Sequence, residues 1–292
     1  MKKTEEKKKK IRRQSLARDA WHRLIKNRAA VIGMIWLGIL VLAAIFAPLI
    51  TRYDYAEQNL QNAYMTPCAE HLLGTDHLGR DIFSRIVFGG RISLVLGLVC
   101  VGISWAFAGP IGAISGYYGG KVDNVLMRFI DLFQAIPGFL LSVSIAAALG
   151  SGMFNCMIAV GIGSIPPCAR LLRGAILPIR NMEYIEAARS IRASDRRIIF
   201  RHILPNVLAP VIVSVTMSIA GALLMAASLS FIGLGVQPPS PEWGAMLSAS
   251  RNYLRKYPYI AIAPGFAIFS TTLALNLIGD GLRDALDPKL RR

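Results

Sequence analysis

The chain has 292 residues, of which 54% are hydrophobic and only 17% are charged, and its formal net charge at pH 7 is +16. A domain that folds in water carries about 25% charged residues, so this composition excludes an ordinary water-soluble domain and indicates an integral membrane protein. The positive charge does not indicate a nucleic-acid partner, because neither interleaved aromatic residues nor a recognisable binding fold accompanies the basic run Lys7–Lys10.

The apolar segments predict the membrane-spanning helices. Five stretches contain no Asp, Glu, Lys or Arg, and a helix needs about 20 mostly apolar residues to cross a bilayer. One stretch, 132–169, is long enough for two short helices, with a turn at GSGMFN. The sequence therefore predicts an all-α integral membrane protein with six transmembrane helices. Their approximate bounds are 30–50, 92–116, 129–149, 154–172, 206–232 and 259–279.

A basic tail precedes the first predicted helix. We place this tail at 1–28 and a single six-span membrane domain at 29–292. The first apolar run is too long for a cleaved signal peptide, and FAPLITRYDYAEQ has no clear small-x-small cleavage pattern. We therefore expect the first helix to remain as an anchor.

The distribution of basic residues predicts the orientation. With six spans, the tail lies on the same side of the membrane as the segments 121–131, 170–201 and 280–292, and this side carries 26 of the 33 Lys and Arg residues. Cytoplasmic loops carry the excess of Lys and Arg in membrane proteins. Both termini and the charged segment near residue 190 are therefore predicted to be cytoplasmic.

Three features are predicted at the membrane surfaces. HLGRDIFSRIVFGGR (77–91) is predicted to form an interfacial helix on the outer face. In PPSPEWGAML, Trp243 suits a membrane interface, and contact with an external binding protein is the alternative. Arg128 and Asp131 have the spacing of an ion pair on one helix, at the cytoplasmic start of the third span.

The fifth predicted span is rich in small residues, which allow helices to pack closely. Helix packing is the favoured interpretation, and the lining of a polar path is the alternative. These residues are Ser214, Ser218, Gly221, Ala222, Ala226, Ala227, Ser228 and Ser230.

Motifs of enzymes and metal proteins are absent from the sequence. It contains no phosphate-binding loop of the form G-x-x-x-x-G-K-[ST], no H-E-x-x-H and no G-x-S-x-G, so no catalytic residue is assigned. No C-x-x-C motif occurs, and no disulfide or metal site is predicted. We interpret Cys100, Cys156 and Cys168 as packing residues and Cys68 as a loop thiol.

The predicted spans contain almost no ionisable residues. Proton-coupled and ion-coupled carriers usually place such residues inside the membrane, where they mark the relay or the ion site. If this chain transports a solute, we therefore expect the energy to come from a partner at its surface.

The charged segment 184–206 predicts two short helices between the fourth and fifth spans. EYIEAARSI has the apolar spacing of an amphipathic helix, and Ser194 and Asp195 are suited to begin a second helix that runs toward Pro205. Such a pair can transmit force from a docked protein to the spans. An ordinary charged loop is the alternative.

These residues carry a family resemblance. Glu186-Ala187-Ala188, followed by Leu204-Pro205, resembles the EAA signature of ATP-binding-cassette (ABC) importer permeases. Beyond the basic tail, nearly the whole chain resembles the peptide/nickel branch of that family, and specifically its second or "C" type permease subunit. The matching segments include DAWHRLIKNRAAVIG, LLGTDHLGRDIFSRIVFGGRISL, GYYGGKVDNVLMRFIDLFQAIP, SFIGLGVQPPSPEWGAML and DGLRDALDPKLR.

The resemblance implies that a cytoplasmic loop at about 180–205 couples the chain to an ATPase. Its alanines would be kept small for close approach to that partner. The implied coupling residues are Glu186, Ala187, Ala188, Arg192, Asp195, Leu204 and Pro205. Arg192 departs from the family pattern, which has a glycine there in left-handed conformation. Either the turn differs, or Arg192 has a compensating contact on the ATPase.

The resemblance also implies a type I ABC importer permease fold and a non-catalytic role in a bacterial inner membrane. The implied partners are a homologous permease subunit, two ABC ATPase subunits that bind ATP and magnesium, an external substrate-binding protein and membrane lipid. The implied cargo is a dipeptide or oligopeptide, with nickel or a metal chelate as the alternative. A secondary carrier and a non-transporting assembly factor are the other hypotheses. No substrate-binding residues are assigned.

Overall fold

The computed structural model describes residues 16–286, so the basic run Lys7–Lys10 and the last residues of the predicted domain lie outside the described residues. The described residues form helices joined by loops, with one isolated β-bridge between Thr75 and Asp81. The α-helices are α1 (Leu16–Lys26), α2 (Arg28–Ile45), α3 (Ala47–Ile50), α4 (Ile82–Tyr118), α5 (Gly120–Gln134), α6 (Gly138–Leu149), α7 (Met153–Gly163), α8 (Ile165–Ile179), α9 (Glu183–Ser190), α10 (Asp195–Ile198), α11 (Leu204–Phe231), α12 (Trp243–Ser250) and α13 (Tyr259–Leu286).

Five helical segments among the described residues are long and apolar enough to cross a membrane. A sixth crossing is formed if α5 and α6 count as one span, although the two helices meet at an angle of 80°. The six spans predicted from the sequence thus correspond to five long segments and one bent pair. The five segments are Arg28–Ile45, Ile82–Tyr118, Met153–Ile179, Asp195–Phe231 and Tyr259–Leu286.

The third predicted span, 129–149, is not a straight helix. It begins inside α5, breaks after Gln134 and continues as α6 from Gly138. Pro137 explains the break, because proline lacks a backbone N–H and disfavours helical geometry in the residue before it. The transmembrane prediction therefore merged the end of an amphipathic helix with a short apolar one.

The central element is α4, which has 37 residues and packs against α2, α7, α8 and α11. The separate interfacial helix predicted for 77–91 is wrong, because residues 82–91 form the first turns of α4. Gly89 does not end the helix there. A Cβ atom at Gly89 would lie 2.0 Å from the carbonyl oxygen of Pro241, so the glycine is needed for close packing.

Trp243 is part of this packing and is only 1% exposed. Its indole N–H donates to the carbonyl of Ile86 at 3.0 Å, and Glu242 begins α12 by accepting from the N–H groups of Gly244 and Ala245. Trp243 therefore does not present its indole to lipid, as a membrane-interface residue is expected to do. The tryptophan anchors α12 against α4 instead.

The segment between α3 and α4 is held by buried polar contacts. Asp81 caps α4 by accepting from the N–H of Ser84 at 2.7 Å, and it also pairs with His71 at 2.9 Å. Asp76 accepts from the Arg80 guanidinium at 2.7 Å. These contacts fix residues 51–81 to the amino end of α4.

The positions of the cysteines agree with the prediction of three packing residues and one loop thiol. Cys100 and Cys156 belong to a buried cluster formed by α4, α6, α7 and α11, and Cys168 lies in a second cluster with Ala108 and Ile130. Cys68 lies in the segment 51–81 and is half-buried. All four are free thiols.

Candidate coupling site

The first helix of the charged segment is α9, and one of its faces is buried against its own chain. Ile185 is fully buried and Ala188 is 7% exposed, in a cluster with Tyr117, Leu172 and Ile176. The size of Ala188 is therefore set by packing within the chain. Glu186 and Ala187 point away from this cluster and are exposed.

Arg192 occupies the turn after α9 with a φ of +53°. The N–H of Ala193 donates to the carbonyl of Ala188 at 3.1 Å, and that of Arg192 donates to Arg189 at 2.9 Å. These two bonds are those of a Schellman motif, in which the residue at C′ is left-handed and usually glycine. The turn thus keeps the geometry implied by the family resemblance, with an arginine where glycine is expected.

The second helix begins as the sequence predicts. The Ser194 hydroxyl accepts from the N–H of Arg197, and Asp195 lies in the first turn. The helix does not end at Pro205, however. A π-helical turn over Ile199–Ile203 connects α10 to α11, so Leu204 and Pro205 lie within one continuous helix, Asp195–Phe231.

The π-helical turn explains how the helix accommodates Pro205. Proline removes a backbone donor and its ring displaces the carbonyl one turn earlier. Within this turn the N–H of Leu204 donates to Ile199, five residues back, so the ladder is already widened where the proline follows. The fifth span therefore starts in the coupling segment itself.

Asp195 ties this segment to the end of α4. Its carboxylate accepts from the hydroxyl of Tyr117 at 2.6 Å and from that of Tyr118 at 3.0 Å. The Arg189 guanidinium lies over the Tyr117 ring, 5.3 Å from its centroid. Sequence reasoning missed both tyrosines. Their place before two glycines at a helix end was a signal of a helix terminus, but nothing in the sequence paired them with Asp195.

A second set of ionic contacts braces the same end of the bundle. Asp123 of α5 accepts two hydrogen bonds of 2.6 Å from Arg173 of α8, and another from Ser115 of α4. Asp131 pairs with Arg170 of α8, so the predicted pairing of Asp131 with Arg128 is wrong. Because α8 packs against α5, Arg170 of α8 forms the ion pair with the Asp131 carboxylate in place of Arg128.

The surface of the coupling segment combines apolar and basic side chains. Ile191 is 80% exposed and Phe200 is 65% exposed, and both lie outside the long uncharged runs. A cavity of about 420 Å³ lies beside Phe200, lined also by Ser194, Arg196 and Arg197. Exposed apolar groups within a charged rim are typical of a protein-binding surface.

Some small residues of the fifth span pack between helices, and others line an open groove on a different face. Ala222, Ala226 and Ala227 are buried in helix packing. Ser214 and Ser218 instead line an open groove of about 720 Å³ between α11 and α13. The packing prediction is confirmed for the alanines, and the serines remain candidates for a polar path.

Two family models match this chain. Residues 108–292 match the family model described as "Binding-protein-dependent transport system inner membrane component", and residues 15–67 match "N-terminal TM domain of oligopeptide transport permease C". The dipeptide transport system permease protein DppC of Alkalihalophilus pseudofirmus is 46% identical over 274 residues, covering 94% of this chain and 90% of the relative. The glutathione transport system permease protein GsiD of Pectobacterium atrosepticum is 46% identical over 277 residues, covering 94% of this chain and 91% of the relative.

Solved structures share the fold at low sequence identity. An inward-facing structure of the MetNI methionine ABC transporter matches with a TM-score of 0.58 and 18% identity, covering 70% of this chain and 96% of the solved chain. An amino acid ABC transporter solved with histidines matches with a TM-score of 0.53 and 17% identity, covering 69% and 94% respectively. These likenesses establish the architecture of the helical bundle.

Proposed function

The chain belongs to the family of binding-protein-dependent transport system inner membrane components, and we propose that it forms half of the translocation pathway of an ABC importer for short peptides. The observation that carries this proposal is the 46% identity, over 94% of the chain, to permeases named for dipeptide and glutathione transport. Both named cargoes are short peptides. The alternative of nickel or metal-chelate uptake is not favoured by these relatives.

The chain acts as a permease without catalytic residues, and its partners supply the energy. Two ABC ATPase subunits bind ATP and magnesium, a homologous permease subunit completes the pathway, and an external binding protein delivers the peptide. The absence of a phosphate-binding loop from the sequence supports this division of labour. Ser214 and Ser218 line an open groove, and this openness supports the proposal that the second permease subunit covers that surface in the assembled transporter.

The coupling segment 180–205 docks on an ATPase subunit. Ile191 and Phe200 supply apolar contact, while Glu186 and the arginines beside Phe200 supply charged contact. Movement of the docked ATPase passes to α11 through the covalent chain and to α4 through the bonds from Tyr117 and Tyr118 to Asp195. ATP-driven closure of the ATPase pair thereby changes the side of the membrane to which the pathway opens.

Both termini and the coupling segment lie in the cytoplasm in this proposal. The support is the asymmetry of charge, with 26 of 33 basic residues on the side of the coupling segment when the chain crosses six times. The groups that bind residues 51–81 to α4 then face outward.

The proposal is tested by uptake in cells that lack this chain and are complemented with it. Labelled dipeptide should enter only in complemented cells, and uptake should continue when the proton gradient is collapsed with ATP held constant. Radioactive nickel serves as the alternative cargo in the same cells. Dipeptide uptake that needs the proton gradient would indicate a secondary carrier, and uptake independent of this chain would indicate an assembly factor or bystander.

A further inference from the structure

Three basic residues lie within six positions in the connection between α12 and α13. Arg251 begins a 3-10 turn (Arg251–Tyr253), and Arg255 and Lys256 follow it. All three residues are exposed. Among the residues that the structure describes, no carboxylate forms an ion pair with any of them. These three residues are named the basic patch.

The basic patch lies on the face of the membrane opposite the coupling segment, because one full span, α11, separates the two in the chain. The proposed orientation places this face outside the cell. It carries seven of the 33 Lys and Arg residues, and the basic patch accounts for three of the seven. Basic residues are usually scarce on the outer face, so a group of three there indicates a specific use.

Other arginines of the same face bind groups of their own chain. Arg80 donates to the Asp76 carboxylate at 2.7 Å, Arg85 donates to the carbonyl of Tyr55 at 2.9 Å, and Arg91 donates to that of Ile45 at 2.6 Å. These arginines stabilise the fold. The basic patch instead presents its charge to the surroundings of the chain.

Aromatic rings hold the connection against residues 51–81. Tyr253 meets the Tyr64 ring edge-on and stacks on His77, each with ring centroids 5.4 Å apart. Tyr257 stacks on Tyr64 with ring centroids 4.3 Å apart, and its N–H donates to the carbonyl of Tyr253 at 2.8 Å. The basic residues therefore lie on a turn that is packed from beneath, and their charges are held at one place on the surface.

The composition of this surface favours a soluble partner over lipid or a permanent subunit. Leu254 is 49% exposed and is the only exposed large apolar residue in 251–258. A segment that lies on a membrane needs a broad apolar face, and permanent protein interfaces are more hydrophobic than transient ones. Exposed charges around a single apolar side chain are suited to a partner that binds and leaves.

The chemistry of the basic patch selects an acidic partner. The guanidinium groups of Arg251 and Arg255 offer forked donors that match carboxylates, and Lys256 adds a third charge. Residues 243–279 contain no Asp or Glu, so no carboxylate nearby in sequence weakens this charge. Opposite charges steer two proteins together and raise association rates by about 10- to 1000-fold.

We propose that the basic patch, together with Leu254, is the docking point for an acidic surface of the external binding protein. This inference rests on the proposed function, which supplies that partner, and extends it by naming the residues and the charges that meet. Carboxylates of the binding protein pair with Arg251, Arg255 and Lys256. The attraction brings the loaded binding protein to the outer ends of α12 and α13.

The first experiment measures association with the complete transporter in nanodiscs. The probe is the binding protein that sustains dipeptide uptake by this transporter, loaded with dipeptide. Arg255→Gln with Lys256→Gln should lower the association rate constant about tenfold at low ionic strength. The difference should vanish near 1 M salt, where charges are screened beyond about 3 Å. The matched control removes two exposed charges from the opposite face, with Lys26→Gln and Lys121→Gln, and should leave the rate unchanged.

The second experiment locates the contact and then exchanges its charges. A photocrosslinker on Leu254→Cys, after Cys68→Ser removes the half-buried thiol, should react with the binding protein beside acidic residues. Arg255→Glu with Lys256→Glu should slow association more than the neutral pair does. Replacement of the crosslinked acidic residues by lysine should restore association with this reversed patch.

Three outcomes would overturn the proposal. An equal fall in association rate in the control pair would show that the overall charge of the chain acts and not the basic patch. Crosslinks from position 254 to the second permease subunit or to lipid alone would assign the patch to that other partner. Failure of the lysine replacements to restore association would show that these charges do not meet.

Failure of the inference is distinguishable from failure of the proposed function. Dipeptide uptake by the wild-type transporter, together with unchanged association in the patch variants, would remove only this docking point. Absence of dipeptide uptake by the wild-type transporter would overturn the proposed function and this inference with it.

Discussion

The hydroxyl of Tyr117 donates a 2.6 Å hydrogen bond to the carboxylate of Asp195, joining the last turn of α4 to the first turn of α10. The two residues are 78 positions apart in sequence. Together with the bond from Tyr118, this contact ties the coupling segment to the end of the longest helix. Displacement of the segment should therefore reach two spans at once.

Loss of this hydrogen bond should uncouple ATP hydrolysis from uptake. We expect Tyr117→Phe to leave assembly intact and to lower the amount of peptide imported per ATP hydrolysed, since a hydrogen bond to a charged group contributes roughly 1.5–3 kcal/mol. The measurement is uptake and hydrolysis by the assembled transporter in proteoliposomes. Tyr184→Phe, which removes an exposed phenol from α9, is the matched control. Equal ratios of peptide uptake to ATP hydrolysis in the two variants would contradict the coupling role of Tyr117.

Replacement of Arg192 by glycine should relieve strain in the turn after α9. A non-glycine residue in left-handed conformation costs on the order of 1 kcal/mol, so Arg192→Gly should raise the thermal stability of the chain and leave uptake intact. Arg196→Gly, which places glycine inside the next helix, should lower stability by up to about 1 kcal/mol. Loss of uptake in Arg192→Gly, with stability raised, would show that Arg192 contacts the ATPase.

Tryptophan at the two alanines of the coupling motif should have different effects. Ala188 is buried against its own chain, so Ala188→Trp should overfill the cluster and destabilise the chain by roughly 1–3 kcal/mol or more. Ala187 is exposed, so Ala187→Trp should leave folding unchanged and block binding to the ATPase. Thermal unfolding of the isolated chain and co-purification with the ATPase separate the two effects. Normal assembly of Ala187→Trp would place the docking surface elsewhere.

Glu186→Ala should weaken the same assembly without affecting the fold, because the Glu186 side chain is exposed on α9. A hydrogen bond to a charged group contributes roughly 1.5–3 kcal/mol, or about 10- to 150-fold in an equilibrium. Titration of the ATPase against the purified permease gives the change in affinity. Glu183→Ala, which removes another exposed carboxylate from the first turn of α9, should have a smaller effect.

Acidification should loosen the segment 51–81 through His77. Burial is the main cause that lowers the pKa of His77, and Arg80 and Arg85 lower it further while Asp76 opposes them. The unfolded segment then binds a proton more readily than the folded one, so stability falls as the pH falls through the usual histidine pKa of about 6.5. His77 also stacks on Tyr253, with ring centroids 5.4 Å apart.

Hydrogen exchange of residues 51–81 above and below this pH measures the effect. His77→Phe should keep the stacking on Tyr253 and reduce the pH dependence of exchange. His22→Phe, in the distant helix α1, should leave that pH dependence unchanged. An unchanged pH profile in His77→Phe would contradict the role of His77 in this pH dependence.

The sequence was a reliable guide to the spans and a poor one to their connections. Runs without charge located every long helix. The apolar spacing of Ile185, Ala188 and Ile191 predicted the buried face of α9 correctly for the first two residues and wrongly for Ile191, which is 80% exposed in the turn after the helix. The packing of Trp243 was missed because its partner, Gly89, is 154 residues away and the need for a close contact leaves no local pattern. Asp195 was placed in its helix, but its binding to Tyr117 depends on the approach of α4, which composition does not specify.

The unbroken length of α4 has a consequence for how this chain can vary over evolution. Asp81 joins residues 51–81 to the first turn of the helix, and Tyr117 joins the coupling segment to its last. An inserted or deleted residue would turn one end relative to the other by about 100°, since an α-helix has about 3.6 residues per turn. Homologous chains should therefore differ in α4 by substitution, and should gain or lose residues in the loops on either side.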